Sequence, residues 1–448
     1  MKKNIFIFLG LIFGGLAAQA QQDSSKVEAR AYFKDGKLHF QTRNEAFHLW
    51  FDNRVYIDAA YYSPQDDISQ LQSKANKDLE QDDGKFRFSN GVVLRRARFA
   101  VKTELYHKWF GELDVDFAYN EVEVEDMFVG YRFNDNYSIK IGNFKEPMSI
   151  ERVTSSKNLT GMERPMAVQM FAGGRRLGIA ATGWGNHWWA SAGLFGEEVS
   201  IFHKEKNRGS NGWGTTARVA ASPVANEHTT LHIGVAGSYR TPNGLGLENR
   251  FVEFRALPES YVDHRRFVRY EIPNVNHYTV GSAELAFRHE KLLVYGEYFI
   301  TNLSRYKLNG TEHIALKNAL FDGWYATASY MILGKNRVYD PSDAEFTNAA
   351  VRPKTGNLEV EVRVSSVNLN DFQDASAVIT GGQAIAYSAG VNWYPNRNVL
   401  VGLNYVYMNN DKYADDKGHV SYQGKALSQE YTSGIDFSVL QARILLSF

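Results

Sequence analysis

The chain has 448 residues, 44% hydrophobic and 14% aromatic, with 50 Lys and Arg against 50 Asp and Glu and no cysteine. Lack of cysteine excludes a disulfide scaffold, thiolate nucleophiles and Cys-ligated metals, and balanced charge provides no global field for a nucleic acid. Abundant aromatics, only 10 prolines and no low-complexity linker after residue 45 point to one large all-β unit.

The chain begins MKKNIFIFLGLIFGGLAAQA, with Lys2 and Lys3, an apolar run from Ile5 to about Ala18, and the small-residue site Ala18-Gln19-Ala20. This predicts a secretory signal peptide over 1–20, cut after Ala20. The run is too short for a spanning helix, and nothing later approaches about 18 continuous apolar residues. Residues 21–46, with ARAYFKDGKLHFQTRNEAF at their end, read as a short periplasmic segment built on a hairpin.

From Phe47 the apolar residues recur at every second position. In FHLWFDNRVYIDAAYY, Phe47, Leu49, Phe51, Val55, Ile57 and Ala59 oppose His48, Asp52, Arg54 and Asp58. In VVLRRARFAVKTEL, Val93, Ala97, Phe99, Val101 and Leu105 oppose Arg96, Arg98, Lys102 and Glu104. Further on, Leu113, Val115, Phe117 and Tyr119 oppose Glu112, Asp114, Asp116 and Asn120. An ionic face on strand after strand is more charge than a packed sandwich core tolerates.

Sixteen segments carry the pattern: 47–62, 91–106, 110–120, 124–134, 136–146, 176–184, 187–195, 212–222, 227–240, 276–288, 290–303, 319–333, 356–370, 382–395, 397–410 and 433–448. Long connections (63–90, 147–175, 196–211, 241–275, 304–318, 371–381, 411–432) alternate with short turns. The link at 121–123 is short for its side and 334–355 is long for its side. An even strand count with this alternation predicts a 16-stranded antiparallel transmembrane β-barrel over 47–448. A closed barrel pairs every backbone group, as a bilayer requires. The last strand, SGIDFSVLQARILLSF, then faces lipid on one side and ends on the aromatic Phe448. A secreted sandwich with ionic faces outward explains neither the loop alternation nor that ending.

A barrel of this size predicts an aqueous lumen, narrowed by the 147–175 connection if it folds inward. That connection carries Glu151, Arg152, Lys157, Glu163 and Arg164, and runs into Arg175 and Arg176. On strand alternation Arg54, Arg96, Arg98 and Lys102 form a basic lumen wall, with Glu112, Asp114 and Asp116 an acidic wall beside it. Arg95 points the other way unless its strand is bent.

RRARF at 95–99, GNFKEP then TSSKNLTGMERP around the 147–175 connection, RPK at 352–354 and GVNWYPNRNVLVGLNY at 390–405 resemble, in this order, the phosphate-selective porin O/P family of Gram-negative outer membranes. The resemblance implies a homotrimer of sixteen-stranded barrels in the outer membrane, with an inward loop and arginines that guide phosphate. It also implies recognition of the strand ending in Phe448 by the barrel-assembly machinery. Arg54 and Arg95–Arg96 match arginine-bearing family positions. The 241–275 loop resembles the arginine-rich stretch, with Arg250, Arg255, Arg265, Arg266 and Arg269 as candidates for an outer funnel. A guanidinium offers phosphate a planar fork of donors and stays charged.

The acids among these arginines keep a general, non-selective porin with opposed walls as the alternative. A surface-loop receptor or adhesin is another, although 21–46 is too short for a plug. No G-x-S-x-G or H-E-x-x-H occurs, the histidines are scattered, and no cofactor or enzymatic activity is expected. The Glu112/Asp114/Asp116 row reads as electrostatic lining before it reads as a Ca²⁺ site.

Overall fold

The computed structural model describes residues 28–63, 88–199, 212–242, 244, 250–310, 312–414, 421–422, 425–426 and 436–448. The signal peptide expected at 1–20 and most of the 63–90 connection lie outside the described residues.

Sixteen antiparallel strands close into a barrel. The closing seam pairs Phe437–Ser447 with Arg54–Ser63, placing Ala442 opposite Ala59 and Ile444 opposite Ile57. Large apolar side chains such as Ile57, Phe99, Ile179, Val362, Leu403 and Ile444 are exposed on the outer surface. Asp58, Arg98, Asp114, Glu284, Arg363 and Arg443 are buried inside. This inversion of a soluble core is what a bilayer outside and water inside demand. Tyr61, Tyr298, Trp324, Trp393 and Tyr405 add exposed outer aromatics, as expected of interfacial girdles. No helix among the described residues is long and apolar enough to cross a membrane; the strands do so.

The first strand is bent into Phe47–Phe51 and Arg54–Ser63. At the bend the chain ends: Asn53 N–H donates to Phe448 O at 2.8 Å and Phe448 N–H to Asn53 O at 3.1 Å. Below that point the last strand cannot pair with Phe47–Phe51. The hairpin Ala29–Lys34/Lys37–Thr42 takes its place, with His39 opposite Trp50 and Leu49 opposite Phe40. Gly36, at φ +75°, turns the hairpin where a Cβ would sit 2.4 Å from Asn398 Nδ2, and Asn398 Nδ2 donates to Gly36 O and Ser447 O. The hairpin of the segment expected at 21–46 is therefore an extension of the barrel sheet.

Two expected strands differ in detail. The third ends at Asp116, and residues 118–120 form a 3₁₀ turn with Tyr119 and Asn120 at positive φ. Val93, expected on the outer face, turns inward because a bulge shifts its strand (Tyr56 opposite Arg96, Ile57 opposite Leu94).

The lumen is not left wide. The connection after Tyr137–Lys145 folds inside as two short helices, α1 (Ile150–Val153) and α2 (Met166–Phe171). From the outer side the hairpin Phe251–Arg255/Arg269–Pro273 packs over it. Phe171 of α2 meets Phe254 and Phe299 at ring-centroid distances of 5.8 and 6.4 Å, and Phe254 meets Phe321 at 5.9 Å. An apolar core thus fills part of the barrel's interior, each such ring contributing roughly 1.5–3 kcal/mol by burial.

Candidate functional site

The strand bulges decide which charges reach the lumen. The bulge at Tyr56/Ile57 turns Arg95 inward beside Arg96, which strict alternation does not give. A second, between Leu113 and Val115 opposite Val124 and Met127, leaves Glu125 and Asp126 unpaired and turns both to the interior charges. Asn143 Nδ2 donates to the freed carbonyls of Val124 and Glu125, so this bulge is held by a side chain from the next strand.

The wall fixes the inward loop at both ends with opposite charges. At its start, Ser149 Oγ and Glu151 N–H donate to Glu297 Oε1 at 2.8 and 3.1 Å, and Ile150 N–H donates to Glu284 Oε2 at 2.8 Å. Glu284 is also held by Arg218 Nε at 2.8 Å. At the loop tip the wall offers guanidiniums. Arg95 grips Glu163 at two points, Arg443 bridges Asp58, Glu163 and the Met162 carbonyl, and Arg363 donates to Glu163 O at 2.7 Å. Gly161 leaves room for that guanidinium: a Cβ would stand 2.5 Å from Arg363 Nη2 and force it to shift.

The long turn 334–356 enters from the opposite end of the barrel. Arg337 makes two bonds to Glu359, at 2.7 and 2.6 Å, and donates to Asn158 O of the loop at 2.6 Å. Asn348 Nδ2 reaches Lys157 O at 2.7 Å. A small cavity of about 20 Å³ lies between loop, wall and turn, beside Asn158, Tyr295 and Arg337, room for roughly one water. In the turn, burial followed by Asp343 pushes the Glu345 carboxyl up to about 8, while Lys145 opposes.

Near the bend of the first strand, Asp52 is surrounded by Lys37 at 3.0 Å, Lys157 at 3.2 Å, Arg54 at 3.4 Å and Lys102 at 3.8 Å. The three lysine side chains keep 20–26% exposure, whereas Asp52 keeps 3%. Arg54 also donates to Ser155 and Ser156 of the loop. Burial pushes the Lys157 ammonium down to about 7; Lys37, Arg54 and Lys102 act the same way and Asp52 opposes.

At the outer mouth, Ser89, Asp263, His264, Arg265, Arg266 and Arg269 line a polar recess of about 370 Å³. Arg255 and Arg269 contact Glu253 at 3.1 and 2.6 Å, and Arg265 lies 4.0 Å from Asp263. Burial, then Arg266 and Arg95, holds the His264 imidazole below its ordinary value.

The expected site residues therefore divide. Arg54, Lys102 and Lys157 converge on Asp52, and Arg255, Arg265 and Arg266 stand at the mouth. Arg250 lies at the base of the mouth hairpin, its carbonyl accepting from Val275 N–H. Arg98 is enclosed by Asp114, Asp116 and Glu125, and Lys102 also meets Glu112 at 3.1 Å. Arg96 lies 3.9 Å from Glu125 and over the Tyr56 ring. Arg175 binds Glu125 and Asp126, and Arg176 binds Glu146 and Glu197. Arg152 and Arg164 serve the loop's own fold, donating to Val168 O and to the carbonyls of Glu151 and Thr154. Arg337, Arg363 and Arg443 were missed as loop anchors; the signal for two of them is the alternation with their exposed neighbours Val362 and Ile444.

The family model described as phosphate-selective porin O and P matches residues 69–431. Porin O of Pseudomonas aeruginosa is 23% identical over 392 residues, spanning 81% of this chain and 87% of that protein. An uncharacterised protein of Caulobacter vibrioides is 24% identical over 367 residues, 80% of this chain and 68% of that one. Among solved structures, the anion-selective porin from Comamonas acidovorans superposes with a TM-score of 0.50 at 11% identity, covering 90% of this chain and all of that one. The trimer form of OmpT from Vibrio cholerae gives 0.50 at 10% identity with the same coverage of this chain. The fold, with its apolar exterior and enclosed charges, and the family match over most of the barrel lead to one conclusion: this chain is an outer-membrane porin and belongs to the phosphate-selective porin O and P family.

Proposed function

We propose that this porin passes small hydrophilic solutes with a preference for anions, phosphate among them. The observation that carries the reading is the cage around Asp52, where Lys37, Arg54, Lys102 and Lys157 gather about one carboxylate. Three of the four are lysines with partly exposed side chains, and four cations about one carboxylate leave the passage near the hairpin with surplus positive charge even though Lys102 also meets Glu112. At the mouth, Arg255 and Arg269 share the carboxylate of Glu253 among the described residues. Two basic stations favour entry of an anion without one deep trap.

The deciding experiment is the single-channel reversal potential in asymmetric KCl, repeated with added phosphate. A chloride-favouring potential with block of the chloride current by micromolar phosphate supports the reading. A ratio near one without block points instead to a general pore with opposed walls.

Three copies form the proposed assembly. The wall is low at Trp109–Asp116 and Trp188–Phe195, 8 residues each, against 18 at Leu292–Asn309 and Ile379–Asn396. A second copy would cover the low side, and native mass measurement in detergent tests the stoichiometry. The mature chain is proposed to begin at Gln21, which N-terminal sequencing checks. Presentation of the Phe448 strand to the assembly machinery predicts that removing Phe448 lowers the amount inserted in the outer membrane.

A further inference from the structure

The acidic wall contains one group that the anion pathway leaves unexplained. Asp114 is a carboxylate with only 1% exposure, its Oδ1 has no hydrogen-bond partner, and its nearest cation is Arg98 Nη1, 3.6 Å from Oδ2. An ionised carboxylate is taken out of water at large cost unless donors or a cation replace the lost hydration. Its neighbours are further carboxylates: one oxygen each from Glu112, Asp114 and Asp126 lie within 4.8 Å of one another. The strand bulge that turns Asp126 inward creates this grouping, so it differs from the Glu112/Asp114/Asp116 row that alternation suggests.

We propose that Glu112, Asp114 and Asp126 bind a divalent, oxygen-preferring cation, Ca²⁺ or Mg²⁺, on the lumen wall. Oxygens around Ca²⁺ at about 2.3–2.6 Å stand up to about 5 Å apart, so the spacing fits. Both outer carboxylates keep an oxygen in reserve. Glu112 meets Lys102 through Oε2 and Asp126 meets Arg175 through Oδ2. The wall cations leave Asp114 Oδ1 without a donor. Glu112, Asp114, Asp116, Glu125 and Asp126 pair with Arg98, Arg175 and Lys102, with Arg96 at 3.9 Å from Glu125, Lys102 shared with Asp52, and Arg54 and Lys145 standing farther off beside Asp114 and Asp126. Glu112 and Asp126 keep 13% and 15% side-chain exposure, giving a hydrated ion an approach from the lumen. Occupation would add positive charge beside Arg98, so the bound ion would raise anion preference. The binding itself stands independently of that reading.

The test is Ca²⁺ binding to the purified full-length porin in detergent by equilibrium dialysis, with Asp114→Asn and Glu112→Gln as variants. Heat-modifiable migration on gels checks that each variant is folded. One bound ion per chain in the dissociation-constant range of about 0.1–1 mM, weakened about tenfold or more in a folded variant, is expected. In bilayers, about 5 mM CaCl₂ should raise the anion-to-cation permeability ratio of the wild type at matched ionic strength and leave Asp114→Asn unchanged. No binding by the wild type, or equal binding by both folded variants, overturns the site. If neither variant folds, wild-type binding decides alone: one saturable Ca²⁺ that Mg²⁺ displaces supports the site, and its absence overturns it. Chloride selectivity failing while Ca²⁺ still binds would remove the anion reading and leave the cation site standing.

Discussion

Arg95 and Glu163 meet at two points, Nε to Oε1 at 2.8 Å and Nη2 to Oε2 at 3.0 Å, joining a strand bulge to the tip of the constriction loop. Both side chains are buried, so removing one partner leaves an uncompensated charge, a loss of about 3–5 kcal/mol. Glu163→Ala should therefore remove the side-chain grips of Arg95 and Arg443 and leave the tip on the weaker backbone bonds to Met162 O and Glu163 O, while α2 stays in its apolar core. The expected single-channel record is larger in conductance and noisier than wild type. A quiet record of unchanged size would show that the tip is held without Glu163.

Gly161 tests the same tip by size rather than charge. Its substitution by alanine drives a methyl toward Arg363 Nη2. Such overpacking costs roughly 1–3 kcal/mol. Gly161→Ala should lower the thermal unfolding midpoint and alter conductance, while Gly237→Ala, with nothing within 4 Å of the added carbon, serves as the space control.

Lys157 makes selectivity depend on pH. Burial lowers its ammonium to about 7, so it is charged below that pH and neutral above it. The anion-to-cation permeability ratio should fall as pH rises from about 6 to 8 and flatten beyond. Lys157→Arg should remove the dependence and keep the low-pH ratio, because a guanidinium stays charged. Lys157→Met should give the high-pH ratio throughout.

Arg337 ties the inserted turn to the wall and to the loop at once, through Glu359 and Asn158 O. Arg337→Ala leaves Glu359 buried without its cation, and a loss of about 3–5 kcal/mol is expected locally. The turn should become sensitive to added protease from the periplasmic side, with raised conductance. Intact protein under conditions that cleave the variant is the reference.

Arg255 and Arg266 act at the mouth from partly solvated positions, so their influence is screened by salt. The double substitution Arg255→Ala/Arg266→Ala should reduce anion preference at about 0.05 M KCl and have little effect at about 1 M. Equal ratios before and after at both salts would remove the mouth from the mechanism.

The amino-acid order by itself determined the barrel, its inside and its outside. Two-residue periodicity is a local property of extended chain, and residues such as Val362 and Arg363 can face opposite solvents only one way once the sheet closes. The same alternation identified Arg96, Arg98 and Asp114 as interior. Tertiary structure decided the rest. A bulge is an extra residue counted against a partner strand, so Arg95, Glu125 and Asp126 could not be turned inward by reading one strand alone. Ion pairs such as Arg95–Glu163 and Arg443–Asp58 join residues 68 and 385 positions apart. Only the closed barrel brings such residues together, which is why the anchoring of the loop by Arg337, Arg363 and Arg443 was not legible in any single strand.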